Sequence, residues 1–216
     1  MVVWAAGGAG LAAYNWWLLI PLRPGLMRSP NELFSNLEVN GQPYAGAMRA
    51  ADVVSGVLLL VAFAAASRGG PRGGRRESVA MMVFAAAGAV GGIVPEACPD
   101  TISAGCRRLE WGFGLPLLDY AHSLAGIAEF AGITVALILA FRRTRGQPCG
   151  AGQVYRALAV AAVGAYPLLG LAYLTNRLGG VMEALFFTGF TVMALTHLRE
   201  RAMTASRRGP RSLPVA

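Results

Sequence analysis

The chain consists largely of apolar stretches about twenty residues long, separated by short turns in which the arginines collect. A helix of about twenty mostly apolar residues crosses the hydrocarbon core of a bilayer. Six stretches have that length and character: residues 2–21, 46–66, 78–94, 115–141, 155–174 and 178–198. The chain is 55% hydrophobic and only 14% charged, whereas a soluble domain carries about 25% charged residues. The expected fold is therefore all-α, a six-helix transmembrane bundle over residues 1–198, followed by a basic, unstructured tail over 199–216. The opening MVVWAAGGAGLAAYNWWLLI has no charged n-region and continues to spanning length, so it reads as a first span rather than a cleavable leader.

The net charge of +8 comes entirely from arginine, since the chain has no lysine. A nucleic-acid surface would gather that charge on one face. Here it lies in turns between apolar spans, as topology requires, and no nucleic-acid partner is expected. Arg68, Arg72, Arg75 and Arg76 follow the second span, Arg142, Arg143 and Arg145 follow the fourth, and Arg199, Arg201, Arg207, Arg208 and Arg211 follow the sixth. The opposite loops hold Arg23, Arg28, Arg107, Arg108 and Arg177, diluted by Glu32, Glu38, Glu96, Asp100 and Glu110. The positive-inside rule then places both termini in the cytoplasm. Trp16, Trp17, Tyr44 and Trp111 fall near the outer ends, where an aromatic belt sits. Cys98 and Cys106 share an outward loop, where a disulfide persists, and Cys149 falls on the reducing side as a free thiol. A zinc site at Cys98 and Cys106 would need two further donors, of which only His122 is near, so no metal and no other cofactor is expected.

One segment conflicts with an oily surrounding. LPLLDYAHSLAGIAEFAG, residues 115–132, carries Asp119, His122 and Glu129 within an arc of roughly 80° on a helix, with Ser123 and Gly126 beside them. Each such charge at the bilayer centre costs about 2.5–3.5 kcal/mol on insertion scales, so the face turns towards other helices. The second span offers Arg49, Asp52 and Ser55, and the sixth offers Glu183, with Arg177 at its mouth. Spans two, four and six all begin at the outer side, so these groups gather in the outer half of the bundle. A purely structural salt-bridge network is one reading, because the macrodipole favours acids in a first turn by about 0.3–1 kcal/mol. It does not account for Glu129, which lies well inside its helix. His197, beside Arg199, reads as an interfacial residue.

The run SPNELFSNLEVNGQPYAGAMRAADVVSG, the C-x7-C loop, LDYAHSLAG and LAYLTNRLGGVMEALFF together resemble the bacterial domain-of-unknown-function 998 family, which is distantly like the Frag/DRAM/Sfk membrane proteins. The matching positions are Ser35, Asn36 and Leu37, then Gly56, then Asp119 with His122, then Asn176 with Arg177. The resemblance implies a six-helix membrane protein and covers most of the chain. A second resemblance, to membrane hydrolases of the alkaline-ceramidase type, rests on Ser55, Asp119 and His122. That group uses three histidines around an intramembrane zinc, and this chain has two histidines in all.

Three functional readings follow. The first is a non-enzymatic membrane protein whose outer pocket, formed by Arg49, Asp52, Ser55, Asp119, His122, Glu129 and Glu183, binds a lipid headgroup or small polar ligand in the cell envelope. Its partners would be membrane lipids, with a membrane-protein partner or a second copy of the chain as further options. The second is an intramembrane lipid hydrolase, with Asp119 or Glu129 as general base and His122 as metal ligand or acid–base group. The third is a small proton-coupled transporter.

Overall fold

In a computed structural model, residues 2–68, 72–147 and 150–206 are described. The free thiol expected at Cys149 and residues 207–216 of the expected tail lie outside them. Among the described residues all regular structure is helical: α1 (Val2–Tyr14), α2 (Ala45–Arg68), α3 (Arg72–Ile93), α4 (Ala104–Trp111), α5 (Leu117–Arg143), α6 (Ala151–Thr175) and α7 (Gly179–Ser206). Five of these, α2, α3, α5, α6 and α7, are long and apolar enough to cross a membrane.

The first expected span is divided. α1 stops at Tyr14, and the chain tightens into a 3-10 helix over Trp16–Leu22. Asn15 accounts for the break, because its side-chain amide donates to the Leu11 carbonyl at 2.8 Å and to Thr191 of α7 at 3.0 Å. That bond competes with continuation of the helix. At the other end of the chain, α7 runs on to Ser206, so residues 199–206 are helical rather than part of an unstructured tail.

α2, α3 and α5 form the centre of the bundle. Their close approach depends on glycine. A Cβ at Gly56 would stand 2.7 Å from the backbone nitrogen of Ala89, and one at Gly132 would stand 2.7 Å from that of Phe84. Around these crossings Leu59, Phe63, Met81, Phe84, Ala136, Met193 and Leu198 are buried. α6 is peripheral, with Val160 and Val163 exposed on a face suited to lipid.

The connections at the end where α2, α5 and α7 begin are folded rather than slack. Residues 29–39 lie across the bundle mouth, with Phe34–Glu38 in a 3-10 turn whose Phe34, Asn36, Leu37 and Glu38 are buried. α4, capped by Ser103, is tied to the preceding loop by the Cys98–Cys106 disulfide, with Cα atoms 5.9 Å apart.

Candidate functional site

Beneath this folded cover lies a cavity of about 650 Å³. Asp52 and Ser55 reach it from the early turns of α2, Asp119, His122, Ser123, Gly126 and Glu129 from α5, and Glu183 from the first turn and a half of α7. The polar stripe of α5 therefore faces a cavity between helices rather than lipid. Arg49 is the exception among the expected residues. It is absent from the lining, is half-exposed, and makes no ion pair; Gly92 of α3 packs against its carbonyl instead. Arg177 is exposed and likewise unpaired among the described residues.

The connecting segments add four more acids to the wall: Glu38, Glu96, Asp100 and Glu110. Read as loop residues, they look like solvated charges, and only the folding of residues 29–39 over the mouth brings them inward. Asn36 is the hub of that fold. Its amide donates to Glu96 and Asp100, both at 3.2 Å, while its carbonyl oxygen accepts from the Thr101 hydroxyl and from the Thr101 backbone nitrogen at 3.3 Å. One sequence signal for this packing exists in the Gly179–Gly180 pair. A Cβ on Gly179 would stand 2.7 Å from the Asn31 carbonyl, so only glycine lets the cover settle on α7.

Most of the acids already accept a hydrogen bond from the protein. Asp52 accepts from the Trp16 indole at 2.7 Å, Asp119 from the Ala97 backbone at 2.6 Å, Glu183 from the Phe34 backbone at 2.6 Å, and Glu110 from the Tyr173 hydroxyl at 2.9 Å. Trp16 thus turns its indole N–H to the cavity, and Trp17 stacks on Phe34. His122 Nδ1 lies 2.6 Å from the Val94 carbonyl and 3.2 Å from that of Gly91, contacts that make it the protonated nitrogen. Its Nε2 is then directed at Glu96, 3.6 Å away. Burial pushes the Glu96 carboxyl up to about 8, against a Ser35 hydrogen bond that favours the ionised form; the charges of Asp100, Asp119 and Glu183 add to the rise. Burial, and then the facing Asp52 carboxyl, hold Glu38 well above the ordinary carboxylate range.

Glu129 stands apart. It lies about 18 Å along α5 from the start of the helix, faces Gly88 of α3, and neighbours the Tyr14 hydroxyl, which has no other partner among the described residues. Tyr14 itself is only 6% exposed and lines the cavity.

The opposite end of the bundle holds a second polar cluster that was not anticipated. Arg143 of α5 donates from Nε to Glu77 at 2.6 Å and from Nη1 and Nη2 to Glu200, both at 2.6 Å. Tyr155 donates to Glu200 at 3.0 Å. His197 is fully buried rather than interfacial: its Nε2 meets Ser78 at 2.9 Å and its Nδ1 lies 3.7 Å from Glu77. α7 continues past His197 and carries Glu200 to Arg143, which is why this histidine is enclosed.

Five helices long and apolar enough to cross a bilayer mark a multi-pass helical membrane protein. Residues 5–208 match the family described as "Protein of unknown function (DUF998)", and the chain belongs to that family. Neither a curated protein nor a solved structure matches it.

Proposed function

We propose that this protein binds a small polar ligand or a lipid headgroup in the cavity between α2, α5 and α7, without chemical turnover, as part of envelope maintenance in a bacterial inner membrane. Membrane lipids are its first partners, with a membrane-protein partner or a second copy of the chain as further candidates. In this reading the chain crosses the bilayer six times. α1 contributes about 20 Å and the 3-10 helix after it about 14 Å, which together are enough for a crossing. Both termini then face the cytoplasm, and the cavity opens outward beneath the disulfide-bearing loop. Residues 1–198 form the membrane domain, and the basic residues beyond lie on the cytoplasmic side.

The observation that carries the reading is the concentration of carboxyl groups around a cavity of ligand size, with no guanidinium among the lining residues. Small-molecule sites run to about 300–1,000 Å³ and pair apolar walls with a few placed polar groups. Hydrolysis or proton transport at the same groups has less support. Asp119 is occupied by the Ala97 amide and His122 by two carbonyls. Among the described residues, no three His, Cys, Asp or Glu side chains group as a metal site.

The test is a thermal-shift titration of the purified protein against headgroup analogues and short-chain lipids, comparing wild type with Gly126→Leu. Gly126 lines the cavity and has open space where a side chain would go. Ligand-dependent stabilisation should be present in wild type and lost in the filled variant. Equal stabilisation in both contradicts the proposal.

A further inference from the structure

We infer that the ligand of this cavity carries an organic ammonium group and that Glu129 is the residue that receives it. The inference rests on the binding reading above and names its chemical class.

Charge sets the class. Eight carboxyls line the cavity, against one imidazole and, among the described residues, no arginine. Each ionised carboxylate about 8 Å from an anionic ligand would repel it by about 2 kcal/mol at an effective dielectric of 20, and no guanidinium on the lining offsets this. A cation is attracted instead. Shape and lining then favour an organic cation over a bare metal ion. The volume is that of a small molecule, and Tyr14, Phe130, Tyr166 and Phe187 present aromatic surface to it. Aromatic faces attract ammonium groups, by about 2 kcal/mol or more when desolvated.

Hydrogen bonding then selects Glu129 among the acids. Asp52, Asp119, Glu183 and Glu110 each have a donor from the protein, Glu96 and Asp100 share the Asn36 amide, and Glu38 is paired with Asp52. Among the described residues the one donor beside Glu129 is the Tyr14 hydroxyl, which is buried and has no other partner. An ammonium placed between them would donate to the carboxylate and to the phenol oxygen, satisfying both. Gly88 and Gly126 keep the space in front of Glu129 clear.

The experiment uses the full-length protein in nanodiscs. Ethanolamine, choline, glycerol, glycerol 3-phosphate and magnesium chloride are titrated while thermal unfolding is followed. The series is repeated in phosphatidylethanolamine and in phosphatidylglycerol nanodiscs. The expected result is stabilisation by the amines above that given by glycerol, glycerol phosphate or magnesium, with a roughly ten- to hundredfold loss of apparent affinity in Glu129→Gln. Stabilisation by the free amines in either lipid identifies a soluble ligand; stabilisation confined to phosphatidylethanolamine discs identifies a headgroup. Gly126→Leu, which keeps every carboxyl, should abolish the response and serves if Glu129→Gln does not fold. Glycerol, glycerol phosphate or magnesium acting as strongly as the amines would overturn the ammonium class and leave the binding reading in place. No response to any probe in either lipid would overturn both.

Discussion

Where α5 ends, Glu77 and Glu200 share the guanidinium of Arg143, with N–O distances between 2.6 and 3.0 Å, and Tyr155 and His197 complete the set. Where α5 begins, eight carboxyls share one imidazole and no guanidinium. Both groups sit among long apolar helices, so the same desolvation penalty acts on both. The difference is that the Arg143 end pairs its acids with its own side chains, whereas the other end lines a cavity of about 650 Å³ with carboxyls and no guanidinium. A closed ion-pair network ties helices together. The open set of carboxyls is what the proposed ligand would complete.

Removing the shared cation should have the largest effect. Arg143→Met leaves Glu77, only 1% exposed at its side chain, without its main counter-charge. Breaking a buried pair in this way costs about 3–5 kcal/mol, which equilibrium unfolding in detergent would read directly. A loss below about 1 kcal/mol would show that the two ends do not differ as described.

The two sides of α5 give the next contrast. Gly132→Ala drives a methyl to within 2.7 Å of the Phe84 nitrogen and should cost about 1–3 kcal/mol. Gly126→Ala meets nothing within 4 Å and should be close to neutral or slightly stabilising. Similar losses at both positions would mean that the cavity closes in the membrane.

A third contrast concerns pH. Glu96 holds its proton in the folded protein up to about 8, whereas an ordinary glutamate, near 4.5, loses it far sooner. Between those values the folded state binds the extra proton, so stability falls as pH rises through the window and the loss is complete above about 8. Its surroundings set this behaviour: Ser35 and Asn36 from the cover, Asp100 from its own loop, Asp119 and His122 from α5, and Glu183 from α7. Measured as Tm against pH, wild type should lose ground to Glu96→Gln steadily between pH 5 and pH 8. Parallel curves would remove Glu96 from the buried set.

Much of this was legible before any coordinates. Hydropathy and length locate α2, α3, α5, α6 and α7 to within a few residues, apart from the ends of α3 and α7, because a bilayer imposes both. The Cys98–Cys106 bond follows from loop position, and the inward turn of Asp119, His122 and Glu129 follows from helical periodicity. What escaped depends on tertiary contacts. The break after Tyr14 needs Thr191, 176 residues away, to hold Asn15. The burial of His197 needs Arg143 to meet Glu200. Glu38, Glu96, Asp100 and Glu110 become cavity groups only once Asn36 has drawn their segments together, and charge counting by loop cannot distinguish a solvated acid from one folded under a cover. Arg49 failed for the converse reason: helical spacing put it near Asp52, but close packing of α3 at Gly92 left it outside the lining.

The unfolding free energies of Glu77→Gln and Glu129→Gln, measured side by side in one detergent without added ligand, test the central contrast most directly. Neutralising Glu77 takes away half of a satisfied pair and should cost about 3 kcal/mol. Replacing Glu129 removes a carboxyl with only the Tyr14 hydroxyl beside it and should leave stability unchanged or raise it. Equal losses at the two positions would contradict the account, because they would mean that Glu129 is as fully paired within the protein as Glu77.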